Sequence, residues 1–331
     1  MAKINLRSPY FITVTNTNLT QVDMELYVYT GTQTTHRGTV KYTIESLAYN
    51  ESVTFEISEL CRDYITYEAE VLWVDYRIKE YISGVAGSYG SYVQLTAFDG
   101  YGYFDEGANP QNDKLALISN NTMLVLQDAT ITIPVDSSVA TSVVYKSGGV
   151  TIETDTITSS SVSTTQVIYS NTIENDIDTV EVTDGVDTET ITIRQVEECL
   201  HTPYILKFVN KFGVLQDIYF FKKSSLTMTT KEEKYKSNIL VDGSYSTNNH
   251  QSKILTKQGN ERLTLNSGFY PEDNNEVFRQ LLLSETVWIG EDELPCNIVN
   301  SSFQFKTQLN DKLINYTLEI EYAFDKINNI R

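Results

Sequence analysis

The histidines, cysteines and carboxylates are the side chains with which this chain could bind metal or form covalent intermediates. None of their arrangements forms a working set. His36, His201 and His250 lie far apart in the sequence and outside any HExxH, HxH or Cys/His cluster, so the spacing that zinc requires is missing. Cys61, Cys199 and Cys296 are equally dispersed. They make neither a disulfide framework nor a zinc pattern, and fit a chain made in a reducing cytosol. GxSxG, GxxxxGK[ST] and GxGxxG are all absent, which removes the hydrolase elbow, the P-loop and the dinucleotide fingerprint. The best ligand-like segment is Asp99-Gly100-Tyr101-Gly102-Tyr103-Phe104-Asp105-Glu106-Gly107. Its acids could take calcium, but the alternating acids before a glycine that an EF-hand loop needs are missing. A Gly/Tyr-rich turn or contact loop is the preferred reading. The run Glu174, Asp176, Asp178, Glu181, Asp184, Asp187, Glu189 reads as a solvated acidic face. No pair of carboxylates is singled out for glycoside hydrolysis. The expectation is therefore a protein that is not an enzyme, with no catalytic residue, no metal ligand and no cofactor.

One basic segment stands out: Lys222, Lys223, Lys231, Lys234 and Lys236, with Tyr219, Phe220, Phe221 and Tyr235 interleaved. Aromatics among lysines can hold nucleic acid, but Glu232 and Glu233 interrupt the run, so it reads as a contact with an acidic protein surface. The acidic middle of a neighbouring copy would be a natural counterpart. The whole chain, 331 residues with 25 Lys+Arg against 44 Asp+Glu, carries a net charge of −19. That balance argues against general DNA binding, which needs clustered cations to displace counterions. No run of 18 apolar residues exists, so no bilayer-spanning helix is expected. The first residues, Met-Ala-Lys-Ile-Asn-Leu-Arg, show no apolar signal core, so no secretory route is expected.

The elements that must position these residues are strands. The chain has 22 Tyr, 13 Phe and only 2 Trp, a strand-favouring aromatic composition. Residues 130–195 contain 24 Ser or Thr in 66, yet β-branched apolar residues alternate at Thr130–Ile133, Val143–Tyr145, Val150–Ile152, Val167–Tyr169, Val180–Val182 and Ile191–Ile193. Gly148-Gly149 and Asp184-Gly185 supply turns between them. Segments also recur. Ser8-Pro9-Tyr10 through Asn16 resembles Thr202-Pro203-Tyr204 through Asn210, and Asn50–Phe55 resembles Asn260–Leu265. Each is followed by a helical stretch, near residues 58–66 with Ser58 as N-cap and near 272–284 with Pro271 in the first turn. A tryptophan strand closes each copy, around Trp73 and Trp288. The expected architecture is mainly β: two related β-sandwich domains with one short helix each, residues 1–130 and 200–331, separated by an acidic Ser/Thr-rich all-β insert at 131–199. The two copies are expected to share one strand order.

Several of these segments carry a family resemblance. Ile4–Tyr10, Phe55–Ile65, Phe208–Phe221, Leu263–Gly268, Leu281–Ser284 and Val287–Ile289 look like virion proteins of tailed phages of Bacteroidetes, notably the crAss-like podoviruses. The resemblance spans both repeats and is weakest over the insert. It implies a tail hub or ring protein that forms an oligomer around the DNA ejection channel, assembled in the host bacterial cytoplasm and located in the virion. Implied partners are copies of itself in a cyclic ring and other tail proteins, with DNA passing nearby without specific binding and no membrane insertion. No catalytic residue comes with it. The competing reading is a β-sandwich adhesin or carbohydrate-binding receptor-recognition module that uses the Tyr-rich stretch from Tyr89 to Tyr103.

Overall fold

Alternation of apolar and polar residues along the chain is what sorts it into sheets, and the computed structural model is 57% strand and 7% helix. Typical soluble domains are about 20–25% strand and 30–35% helix, so the protein is mainly β, of β-sandwich type. The structure describes residues 2–30, 37–66, 71–111, 113–127, 129–158, 164–170, 177–300 and 313–327. By internal contacts the chain forms two units. The first is Met1–Glu197 with Lys207–Ile218 and Asp273–Glu285; the second is Glu198–Leu206 with Tyr219–Glu272 and Thr286–Arg331.

The first unit begins with β1 (Ala2–Asn5), β2 (Phe11–Thr15), β3 (Leu19–Tyr29), β4 (Tyr42–Leu47), β5 (Ser52–Glu56), α1 (Ser58–Arg62), β6 (Val71–Ile82), β7 (Val85–Ala86) and β8 (Val93–Phe98). One sheet runs β1-β8-β6-β3-β4, with β7 on β6, and a second pairs β2 with β5. Period two decides what lies between them. Val22, Met24, Leu26 and Val28 of β3, Leu72 and Val74 of β6, and Leu95 and Ala97 of β8 join Ile12 and Val14 of β2 and Val53 and Phe55 of β5 in one buried core.

Ser58 was expected to cap α1, but Ile57 is the N-cap and no side chain caps that end. The Ser58 hydroxyl instead donates to the Ser8 carbonyl at 2.7 Å and accepts from the Tyr10 amide at 2.9 Å. It fastens the chain around Pro9 just before β2.

The six strands expected in the Ser/Thr-rich stretch are present as β10 (Thr130–Asp136), β11 (Thr141–Ser147), β12 (Val150–Ile157), β13 (Thr164–Ser170), β14 (Thr179–Thr183) and β15 (Thr188–Val196), preceded by β9 (Thr122–Leu126), which was not expected from the sequence. They form a sheet β12-β11-β14-β15-β9 and the pair β10-β13. Gly148 and Gly149, at φ 54° and 80°, make the β11–β12 turn, a backbone that a β-carbon would strain. β15 pairs in parallel with β9 from before residue 130, so this sheet takes in a strand from outside the 131–199 segment.

The remaining strands are β16 (Tyr204–Val209), β17 (Leu215–Phe220), β18 (Lys222–Lys236), β19 (Ser252–Pro271), β20 (Val287–Ile289), β21 (Leu294–Ile298) and β22 (Leu313–Tyr322), ordered β17-β16-β20-β21-β22-β19-β18. Helix α2 (Asn275–Leu283) lies in the first unit, after a 3-10 turn at Glu272–Asn274. Pro271 ends β19 rather than opening the helix.

The shared strand order does not hold. β2 pairs β5 and β3 lies between β6 and β4, whereas β16 lies between β17 and β20, and β19 between β22 and β18. The recurring motifs fix the order of element types, because propensity and capping are local. Pairing partners depend on which edges are free, and the 20-residue β19 runs through and beyond the stretch that matches β5. Trp73 is buried on β6, opposite Tyr29 and Thr96, while Trp288 is half-buried opposite Pro295.

Candidate functional site

Polar and aromatic groups gather in the first unit on the outward face of the β3–β6–β8 sheet. Register puts them there. Asp23, Glu25, Tyr27 and Tyr29 of β3 stand opposite Lys79, Arg77, Asp75 and Trp73 of β6, so alternate residues of both strands share the face away from the apolar core. Lys79 Nζ lies 2.7 Å from Asp23 Oδ2, which also accepts from the Tyr81 hydroxyl at 2.7 Å. Arg77 Nε donates to Glu25 Oε2 at 2.6 Å, and the Tyr27 hydroxyl donates to the same oxygen at 2.9 Å. Arg37 pairs with the buried Asp75. Its guanidinium sits 4.0 Å from the Tyr92 ring centroid, and that of Arg77 lies 4.6 Å from Tyr89. Tyr27 and Tyr92 meet edge to face at 5.5 Å.

Electrostatics fixes what this layer can do. Burial alone would raise the Asp23 and Glu25 carboxyls, but hydrogen bonds from Lys79, Gln21 and Tyr81 to the first, and from Arg77 and Tyr27 to the second, hold both below their usual range. Burial pushes the Tyr27, Tyr29 and Tyr89 phenols upward. The shifts of these five groups favour carboxylates at Asp23 and Glu25 and neutral phenols at Tyr27, Tyr29 and Tyr89 around neutral pH. The layer offers stacked rings and fixed charges, which suit recognition and packing.

The Asp99–Gly107 segment is anchored within the same unit. Asp99 pairs with Arg62 at 3.1 Å, and Glu106 accepts from the Tyr103 amide at 2.8 Å while pairing with Lys211. The Tyr103 hydroxyl donates to Glu276 of α2 at 2.6 Å. A β-carbon on Gly100 would come within 2.7 Å of the Lys211 carbonyl, and one on Gly102 within 2.4 Å of Pro110, so both glycines permit close packing. Of the carboxylates in this segment, Asp99 and Glu106 are held by the protein's own cations and an amide while Asp105 is exposed, and among the described residues no cluster of three His, Cys, Asp or Glu could hold a metal. Beside this loop lies a buried amide network that the sequence did not reveal. Asn210 Nδ2 donates to the Leu117 carbonyl at 2.8 Å and to Gln216 at 2.9 Å, and the Ser119 hydroxyl meets Gln216 at 2.7 Å and Gln280 at 2.6 Å. Asn and Gln carry no periodic signal that would have exposed it.

Of the acidic run, Glu174 and Asp176 lie outside the described residues. Asp178 and Asp187 are exposed, as a solvated face requires, while the other three are tied to the protein. Glu189 accepts from the Leu115 and Ala116 amides at 2.9 and 3.2 Å, Asp184 from those of Val186 and Asp187, both at 2.8 Å, and Glu181 pairs with Lys146 at 2.5 Å. Cys61 and Cys296 are buried and burial pushes both thiols up to about 12, while Cys199 is exposed. His36 lies outside the described residues, His201 is half-buried and His250 exposed.

In the second unit the basic segment divides in two. Phe220 and Phe221 are buried, and Tyr219, Phe221 and Tyr270 stack in series at 5.8 and 6.1 Å. From Ser225 to Lys236, β18 is exposed throughout, as is most of the paired β19 up to Lys257. The lysines therefore line a two-stranded arm bathed in solvent on both faces. Its tip, Val241-Asp242-Gly243-Ser244, has φ 49° at Asp242 and 79° at Gly243, the positive values a two-residue hairpin turn needs.

No family model matches the chain, and no curated protein matches it. Among solved structures it is similar to the periplasmic chaperone SfaE, at 12% identity over 60% of this chain and 97% of that one, with a TM-score of 0.22.

Proposed function

We propose that the protein is a structural component of a phage tail, a hub or ring protein that assembles with copies of itself and with other tail proteins around the path of the DNA. The family resemblance of its segments suggests this, and one structural observation supports it most. The chemistry-bearing groups of the first unit are spent on one another, while β18 and β19 extend an exposed arm that a solitary globular protein does not need. Isolated two-stranded ribbons are marginal in water, so an arm of this length is best explained by something that covers it. The net charge of −19 suits a wall along which DNA slides, since like charges leave no sticking points.

The test is particle content. Purified virions carrying the protein should yield it by mass spectrometry, and antibodies against it should label the tail; its absence from particles would sink the reading. A glycan-binding role is the second reading, favoured by the Tyr89 and Tyr92 rings beside Arg77 and Arg37. Binding on a glycan array that Tyr92→Ala abolishes would favour it instead.

A further inference from the structure

β18 ends its sheet and β12 ends another, so among the described residues each has one hydrogen-bonded neighbour and one free edge. Free edges are templates for pairing with another chain. The two carry opposite charge. Residues 222–260, the arm, hold seven basic and three acidic side chains, a net +4. Lys223, Lys231, Lys236 and Lys253 of the arm have no ion pair among the described residues. Residues 131–199 hold twelve acidic and two basic side chains, a net −10, and β12 contributes the exposed Glu153 and the half-buried Asp155, which accepts from the Tyr145 hydroxyl at 3.2 Å. The arm also exposes large apolar groups, with Leu240, Val241, Tyr245 and Leu255 each 60–66% exposed. An edge that is only charged would repel strand addition; one that is charged and apolar together is built to be covered.

We infer that β18 of one copy adds to the β12 edge of a second copy, the arm's lysines lying against the acidic sheet and the apolar tip closing over it. The eight residues of β12 would pair over about 26 Å at about 3.3 Å per residue. Because β18 and β12 are different surfaces, the contact is head to tail. Repeated, it generates rings if the rotation closes, rather than two-fold dimers. The inference deepens the tail reading but is tested separately from it, since self-assembly is measured on the purified chain and tail location on particles.

The experiment is sedimentation velocity of the full chain across the micromolar range at physiological salt. It compares wild type, an arm variant (Lys223→Glu with Lys231→Glu and Lys236→Glu), a β12 variant (Glu153→Lys with Asp155→Lys), and a chain carrying both sets. Wild type should assemble, each single set should weaken assembly by tenfold or more, and the combined chain should recover it, because the charges are swapped rather than lost. Circular dichroism checks that every variant keeps its strand signal, and mixing the two single-set chains should restore alternating contacts. A monomeric wild type, single sets that assemble like wild type, or a combined chain no better than either set would each overturn the inference.

Discussion

At the residue scale the informative side chains are those whose partners are fixed by burial or by a specific charge. Glu198 accepts from Lys222 at 2.5 Å and from the Leu200 and His201 amides at 3.0 and 3.1 Å. These bonds, that of Lys222 first, hold its carboxyl down at about 2 against an ordinary 4.5. A lowered folded-state value means the stabilisation is complete above pH 4.5 and is lost as pH falls towards 2. Glu198→Gln should therefore lower the melting temperature at pH 7 and flatten its dependence on pH between 4.5 and 2. Equal pH profiles for variant and wild type would show that the contact contributes nothing. Asn210 is fully buried and bonded through both ends of its amide. Asn210→Ala would leave the Leu117 carbonyl and the Phe212 amide without it, costing about 2–3 kcal/mol for stranded buried groups, readable by chemical denaturation. Neither residue was legible in the sequence. Glu198 looked like one acid among many, and a buried Asn is indistinguishable from a surface one until its partners, far away along the chain, are known.

At the element scale local signals were legible and pairing was not. Alternation located the strands of the Ser/Thr-rich stretch, from Val143–Tyr145 to Ile191–Ile193, because two-residue periodicity and glycine turns are written within a few residues. The helical stretch expected near 272–284 is likewise present as α2, whose buried residues are Val277, Phe278, Gln280 and Leu281. The choice of β5 as partner for β2, or of β22 as partner for β19, depends on edges brought together by the rest of the fold, so recurring motifs did not determine it. The tyrosine–cation layer was half legible. Tyr89 to Tyr103 was read as a possible binding loop, but only the register of β3 against β6 reveals the ion pairs beneath it. Phe278 is fully buried, and removing its ring should cost about 3–5 kcal/mol. Phe278→Ala should lower the unfolding free energy of the first unit by that amount, read from its chemical denaturation curve, while Leu283→Ala at the exposed end of the helix should barely change it; equal effects would mean the helix is not packed as described.

At the scale of the whole molecule, two electrostatic effects of opposite sign act on assembly, and they differ in range. Copies with a net charge of −19 repel one another as bodies, and that repulsion reaches only as far as the Debye length, about 30 Å at 0.01 M ionic strength but about 8 Å at 0.15 M. The attraction between the net +4 arm and the net −10 segment acts at contact distances of a few ångströms, so salt weakens it only when the Debye length approaches about 3 Å, near 1 M. Between those limits, salt removes the repulsion before it removes the attraction. Assembly of the purified chain should therefore strengthen from low ionic strength to about 0.15 M and weaken again towards about 1 M. The apolar tip residues Leu240, Val241, Tyr245 and Leu255, which salt does not screen, should leave a residue of association at the high end. The arm variant with three lysines reversed should lose the maximum, because its arm would repel the acidic sheet at every distance. Light scattering over a salt series reads this directly. A steady fall from the lowest salt upward would mean that the attraction is long-ranged and the bodies do not repel. A steady rise to the highest would mean that apolar burial alone holds the copies together and that the lysines of β18 have no part in it.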